Sequence, residues 1–174
     1  MKKITIFSIF FLLLSSSLFA TNIRVIDLES LIDNNKNFIL FISEINKDQQ
    51  AHTENFTIAE KDLKSDLANL DDLKLILDES EINKRLSEYN NKLNNFNIAI
   101  QKFNIHYENQ IKIVRNLILK EILEILKNYS LDNQIDLILD SNNYILSNNS
   151  INITNYIEQQ LNKIDLDISF EKYK

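Results

Sequence analysis

The sequence contains no glycine, proline, cysteine or tryptophan in 174 residues. Without glycine the chain has no phosphate-cradling loop and no dinucleotide-binding fingerprint, because both need backbone positions that glycine serves best. Without cysteine, no disulfide can stabilise the fold in an oxidising compartment. We therefore predict no nucleotide and no cofactor. Because no nucleophile is paired with a base, we do not expect an enzyme.

Basic residues are outnumbered, with 19 Lys and Arg against 25 Asp and Glu, a net charge of −6. Nucleic-acid binding depends on clustered Lys and Arg, so a nucleic-acid partner is not expected. Histidine is also scarce, with His52 and His106 far apart in the sequence. We interpret both histidines as packing or surface residues and predict no metal site.

Residues 1–20 have the order of a secretory signal peptide: Lys2 and Lys3, an apolar run over 4–14, and a small residue at the exit. We predict cleavage after Ala20, with cleavage after Ser17 or retention as an anchor as alternatives. Cleavage after Ala20 removes two lysines and lowers the net charge to −8. The rest of the chain has no apolar run of about 18 residues, so the mature protein is expected to be soluble outside the cytoplasm.

The central part of the chain has the apolar spacing of two long helices. Residues 82–129 place apolar side chains at alternating steps of three and four, as a coiled coil does. Residues 38–77 repeat this spacing, so the two helices are expected to fold back on each other. The spacing predicts an antiparallel helical hairpin, or arm, over residues 35–128 with its tip at about 76–80.

Short strand signals flank the arm, at residues 23–26, 135–139 and 144–146. We assign residues 21–34 and 129–164 to a small β-containing body and leave 165–174 unassigned. Three short strands with one or two small helices form a poor core alone, so we predict an obligate homo-oligomer joined through its strands. The predicted oligomerisation residues are Ile23, Val25, Ile26, Leu137, Ile138, Leu139, Tyr144, Ile145 and Leu146.

Local motifs and the order of the parts resemble the Skp (OmpH-like) periplasmic chaperone family. The motifs are IRVIDL at 23–28, DLILD at 136–140, YIL at 144–146 and INIT at 151–154. The resemblance implies a mainly α homotrimer in which hairpin arms project from a shared β body and enclose a cavity. It also implies ATP-independent holding of unfolded outer-membrane proteins. The acidic charge departs from the strongly basic family pattern, so we carry over no lipopolysaccharide-binding residues.

Aromatic residues on the arm have two interpretations. They can contact unfolded clients, or they can pack the two helices of the arm against each other. The candidates are Phe38, Phe41, Phe96, Phe103 and Tyr107. The rival function is a structural coiled-coil spacer or adhesin-like envelope protein without chaperone activity, because long paired helices also suit a spacer.

Overall fold

The computed structural model describes residues 21–174, so the predicted signal peptide lies outside the described residues. The elements in order are β1 (Ile23–Ile26), α1 (Leu28–Asp33), α2 (Lys36–Leu73), α3 (Glu79–Asn133), β2 (Leu137–Asp140) and α4 (Thr154–Leu161), with 3-10 turns at Ser141–Asn143 and Asn149–Ile151. The predicted, mainly helical architecture is confirmed. Within residues 21–174, each helix is too short or too polar to cross a membrane.

Helices α2 and α3 run antiparallel and form the arm. Near the tip, the Lys92 Nζ lies 2.7 Å from the Asp66 Oδ2, and nearer the base the Tyr107 hydroxyl donates to the Asp48 Oδ2 at 2.7 Å. Residue 92 of α3 thus contacts residue 66 of α2, whereas residue 107 of α3 contacts residue 48. Residue numbers fall along α2 as they rise along α3, so the helices are antiparallel. The predicted hairpin is therefore confirmed. At 1.5 Å per residue, α3 is about 80 Å long.

Asp and Asn side chains cap the start of each of the first three helices. Asp27 accepts from the Ser30 N–H at the start of α1, and Asp78 accepts from the Glu81 N–H at the start of α3. The Asn35 Oδ1 accepts from two N–H groups at the start of α2, and Asn35 is only 4% exposed. These caps satisfy backbone donors that have no partner inside the helix.

Helix α3 ends at a left-handed residue. Gln134 has φ 52° and ψ 49°, and its N–H donates to the Ser130 carbonyl. Glycine usually occupies this position because a Cβ disfavours positive φ. Gln134 takes it in a chain without glycine, and α3 itself ends at Asn133, five residues beyond the end predicted for the second arm helix.

Strand β1 lies at the centre of the body. It pairs in parallel with β2, with Ile23 opposite Leu137, and Val25 forms a bridge to Asn152 on the other side. Two further hydrogen bonds tie the body together. The Asp140 Oδ1 accepts from the Leu28 N–H, and the Thr154 Oγ1 accepts from the Asp27 N–H, both at 3.0 Å.

The third predicted strand is absent from the described chain: Tyr144, Ile145 and Leu146 have irregular backbone. Ile145 is fully exposed and Leu146 is 89% exposed. In the described chain β1 has β2 on one side and Asn152 on the other, and residues 144–146 do not pair with the remaining outer edge of β2. Strands β1 and β2 thus pair with each other inside one chain, and Val25 and Ile26 are buried there.

The base of α3 enters the body. It packs with α1, α4 and the start of α2 into one core. The least exposed side chains of this core, each at 2% or less, are Ile26, Leu31, Phe41, Ile45, Tyr107, Ile118, Ile122, Ile157 and Leu161. The core therefore joins the arm rigidly to the body.

We predict that Asn35→Ala destabilises the chain by about 1–2 kcal/mol, because it leaves two N–H groups at the start of α2 without their acceptor. Urea unfolding followed by circular dichroism measures the change. The matched control Asn35→Ser keeps an acceptor and is expected to lose less. Equal losses for Ala and Ser would contradict the capping role.

Candidate functional site

A cluster of aromatic rings packs between α2 and α3 in the middle of the arm. Phe56 meets Phe96 at 6.3 Å and Phe103 at 5.0 Å between ring centroids, both edge-on, and Phe103 meets Tyr107 at 4.9 Å. Edge-to-face pairs of this kind add stability beyond simple burial. These rings hold the two helices together.

The five aromatic residues predicted to contact clients have different accessibility. Phe38, Phe41 and Tyr107 are buried, at 6%, 2% and 2% exposure, whereas Phe96 and Phe103 are half-buried. All five lie at the packed side of the arm helices. All five residues therefore pack the arm helices in this structure.

Residues 165–174, which we call the tail, lie against the arm. Leu166, Ile168 and Phe170 are partly buried against the main core, while the residues between them are exposed. The Phe170 ring meets Phe41 edge-on at 6.3 Å. One tight turn is present, where the Ile168 N–H donates to the Leu166 carbonyl at 2.9 Å. The tail therefore presents alternate side chains to the arm.

Tyr173 completes the aromatic cluster from the tail. Its ring centroid lies 5.2 Å from Phe103, 5.4 Å from His52 and 5.5 Å from His106. Its backbone N–H donates to the Asp48 Oδ2 at 3.0 Å, the same oxygen that accepts from Tyr107. Asp48 thus links α2, α3 and the tail.

Gln110 binds the tail through the backbone of Glu171. The Gln110 Oε1 accepts from the Glu171 N–H at 2.8 Å, and the Gln110 Nε2 donates to the Glu171 carbonyl at 2.9 Å. The His106 Nε2 lies 2.8 Å from the same carbonyl. The side-chain amide therefore pairs with one residue of the tail much as a neighbouring strand would.

Hydrogen bonds at Asp48 favour its ionised form. Partial burial disfavours the charge, but the hydrogen bonds from Tyr107 and from the Tyr173 N–H outweigh it and hold the pKa of Asp48 below its usual value. Burial, together with the hydrogen bond to Asp48, raises the pKa of Tyr107. The Tyr107 hydroxyl therefore remains a donor to a carboxylate at neutral pH.

The two histidines belong to the aromatic cluster. His52 packs against Phe103 and Tyr173, and His106 packs against Tyr107. Across residues 21–174 there is no group of three His, Cys, Asp or Glu side chains suited to a metal ion. Their contacts fit the packing role inferred from the sequence.

Exposed apolar side chains are spread along the arm. At the tip, Leu75 and Ile76 are 90% and 79% exposed. Along α2 and α3, the large exposed apolar residues are Ile39, Leu40, Ile58, Leu67, Leu86, Ile98, Ile105, Ile113, Leu123 and Leu131. The arm therefore offers many separate apolar contact points.

Sequence reasoning did not assign the tail. The signal was present, because Ile164, Leu166, Ile168 and Phe170 alternate with polar residues. Such alternation predicts an extended segment with one buried face. The role of Gln110 left no such signal, because a single polar residue on a helix is usually solvated.

Comparison with known proteins gave two kinds of match, a family sequence model and a solved structure. The sequence model of one family, described as "Outer membrane protein (OmpH-like)", matches residues 22–161. A solved structure from Caulobacter crescentus CB15, described as a proposed outer membrane chaperone (OmpH-like), is 12% identical and has a TM-score of 0.66. The alignment covers 89% of this chain and 92% of that one. A search of curated proteins gave no significant match.

We predict that Asp48→Ala lowers stability by about 1–2 kcal/mol near neutral pH, because the Tyr107 hydroxyl and the Tyr173 N–H lose their acceptor. The pKa of Asp48 is lowered in the fold. Its stabilising effect is therefore complete above about pH 4, the usual range for Asp, and is lost as the pH falls through the lowered pKa.

The measurement is the difference in thermal midpoint between the native sequence and Asp48→Ala from pH 3 to pH 8. We expect a constant difference above about pH 5 that shrinks below about pH 4. Asp62→Ala, which removes an exposed carboxylate from the same helix, is the control and should show little difference at any pH. A gap for Asp48→Ala that persists unchanged in acid would contradict the assignment.

Proposed function

Because the chain belongs to the OmpH-like family, we propose that it is an ATP-independent holdase chaperone of the periplasm that binds unfolded outer-membrane proteins. The structural neighbour, described as a proposed outer membrane chaperone, supports this proposal. The observation that carries it is the long arm with exposed apolar side chains from its base to its tip.

The chemistry of the client fits such an arm. Strands of outer-membrane proteins alternate apolar and polar residues, and before insertion their apolar faces and open edges drive aggregation. Many weak apolar contacts along a helical wall can add up to useful binding through multivalency. Release then needs no ATP, because folding of the client into the membrane removes it from the binding equilibrium.

The predicted client-contact residues fit this proposal to different degrees. Phe96 and Phe103 are half-buried, so part of each ring can reach a client. Phe38, Phe41 and Tyr107 are buried in the described conformation and support the arm. The exposed Leu75 and Ile76 at the tip, which the sequence did not single out, offer larger accessible surfaces.

Assembly is proposed to involve residues 144–146. Ile145 and Leu146 are exposed in the single chain. They lie between β2 and the segment that bridges to β1. Exposed apolar residues next to a two-stranded sheet favour pairing with another copy. We propose a homotrimer, as the family resemblance implies, in which this segment contacts the body of the next copy. The net negative charge does not favour lipopolysaccharide as a partner.

Leu146→Asp is expected to break the oligomer, because it puts a charge into an interface that excludes water. Light scattering coupled to size-exclusion chromatography measures the molar mass. The matched control is Leu75→Asp, since Leu75 at the tip is 90% exposed and Leu146 is 89% exposed. The native sequence and the control should give a trimer and Leu146→Asp a smaller species. A trimer for all three proteins would contradict the proposed interface.

Chaperone activity is tested by diluting a urea-unfolded outer-membrane protein into buffer and recording turbidity. We expect the mature chain to suppress aggregation near one trimer per client without ATP. A protein of similar length that forms a coiled coil without exposed apolar residues is the control. No suppression at a large excess would contradict the proposal and favour the structural spacer.

A further inference from the structure

We propose that the groove between α2 and α3 that holds the tail is a binding site for extended peptide segments with alternating apolar and polar residues. The tail occupies this groove in the free protein, and a client segment of the same pattern displaces it. The inference rests on the proposed function for the identity of the client, since outer-membrane strands carry this pattern.

The side chains of the tail show what the groove accepts. Leu166, Ile168 and Phe170 pack at every second residue on the α2 side of the arm, beside Phe41, while the three residues Asp165, Asp167 and Ser169 stay exposed. Tyr173 then packs its ring edge-on against both His52 and Phe103, which also contact each other. The groove therefore recognises an alternating pattern and an aromatic side chain at its far end.

The hydrogen bonds to the tail are directed at its backbone. Gln110 pairs with the N–H and carbonyl of Glu171, and Asp48 accepts from the N–H of Tyr173. Every residue except proline presents these backbone groups, so the contacts do not depend on side-chain identity. Backbone pairing combined with pockets for alternate side chains is how proteins bind extended peptides of varied sequence.

The groove does not depend on the tail for its existence. The two helices contact each other directly through Phe56 with Phe96 and through Lys92 with Asp66, and the tail takes no part in these contacts. The match to the family also ends at residue 161, before the tail begins. Displacement of the tail therefore leaves α2 and α3 paired and exposes Phe41, Phe103 and Tyr107 to the incoming segment.

A bound tail lowers the apparent affinity of the groove for any other segment. The apparent dissociation constant rises in inverse proportion to the fraction of molecules whose groove is free. If the tail occupies the groove about nine-tenths of the time, its release strengthens binding about tenfold. The tail thus acts as an intramolecular competitor, and a client that makes many contacts displaces it.

The test uses the full mature chain and a fluorescein-labelled peptide with the sequence of residues 164–174 as probe. The tail-release variant is Phe170→Ser with Tyr173→Ser, which removes the two aromatic contacts without altering the groove. The control variant, Asp165→Ser with Asp167→Ser, changes only exposed tail side chains. Fluorescence anisotropy measures binding, and circular dichroism checks that both arm helices stay folded.

We expect the tail-release variant to bind the probe about tenfold more tightly than the native sequence and the control variant. A permuted probe with its apolar residues contiguous should bind weakly, and an alternating strand peptide from an outer-membrane protein should displace the native probe. Adding Gln110→Ala to the tail-release variant should weaken binding. Equal affinity with and without the tail contacts, equal binding of the permuted probe, or no displacement by the strand peptide would overturn the inference.

The same proteins in the turbidity assay separate this inference from the proposed function. If aggregation is suppressed but the probe does not distinguish the variants, the groove inference fails and the chaperone proposal stands. If the probe and strand peptide bind as expected but aggregation is not suppressed, the groove stands as a peptide-binding site and the chaperone proposal fails.

Discussion

The packing of α2 against α3 is the contact on which the rest of the structure depends. Beyond the core at the base, apolar side chains of each helix pack against the other helix, as Phe56 does against Phe96. The aromatic pairs of Phe56, Phe96 and Phe103 fix the register of the two helices. That register places Asp48 beside Tyr107, and so creates the surface on which the tail lies.

A chain without glycine or proline must end its helices with other residues. Asparagine and aspartate cap the helix starts, and the buried Asn35 separates α1 from α2 without a turn residue. Gln134 accepts a left-handed backbone that glycine would adopt more easily. Because the sequence has no cysteine, no disulfide stabilises the fold, and packing must do so.

Much of the fold could be predicted because its signals are local and repeat along the chain. The spacing of Leu86, Phe96 and Phe103 is enough to indicate a helical arm, and Asp27 and Asp78 have the positions of caps. The strand predicted at 144–146 was wrong because a strand forms only where it meets a partner, and the apolar pattern of a short segment does not show whether it does. The contacts of Gln110 could not be foreseen, because they depend on where the tail crosses α3. The exposure of the apolar residues at the tip could not be foreseen either, because their spacing fits an ordinary helical pattern.

A chain that folds back on itself is the central claim, and a cross-link between the two helices tests it most directly. The sequence has no cysteine, so Asp66→Cys with Lys92→Cys introduces the only two thiols, at positions whose native side chains form an ion pair. Treatment with a short thiol-specific cross-linker and electrophoresis under denaturing conditions then reports which thiols are close. The account predicts a cross-link within one chain and a band at the mass of a single copy. Cross-linked dimers and larger species, with little cross-linking within one chain, would contradict it.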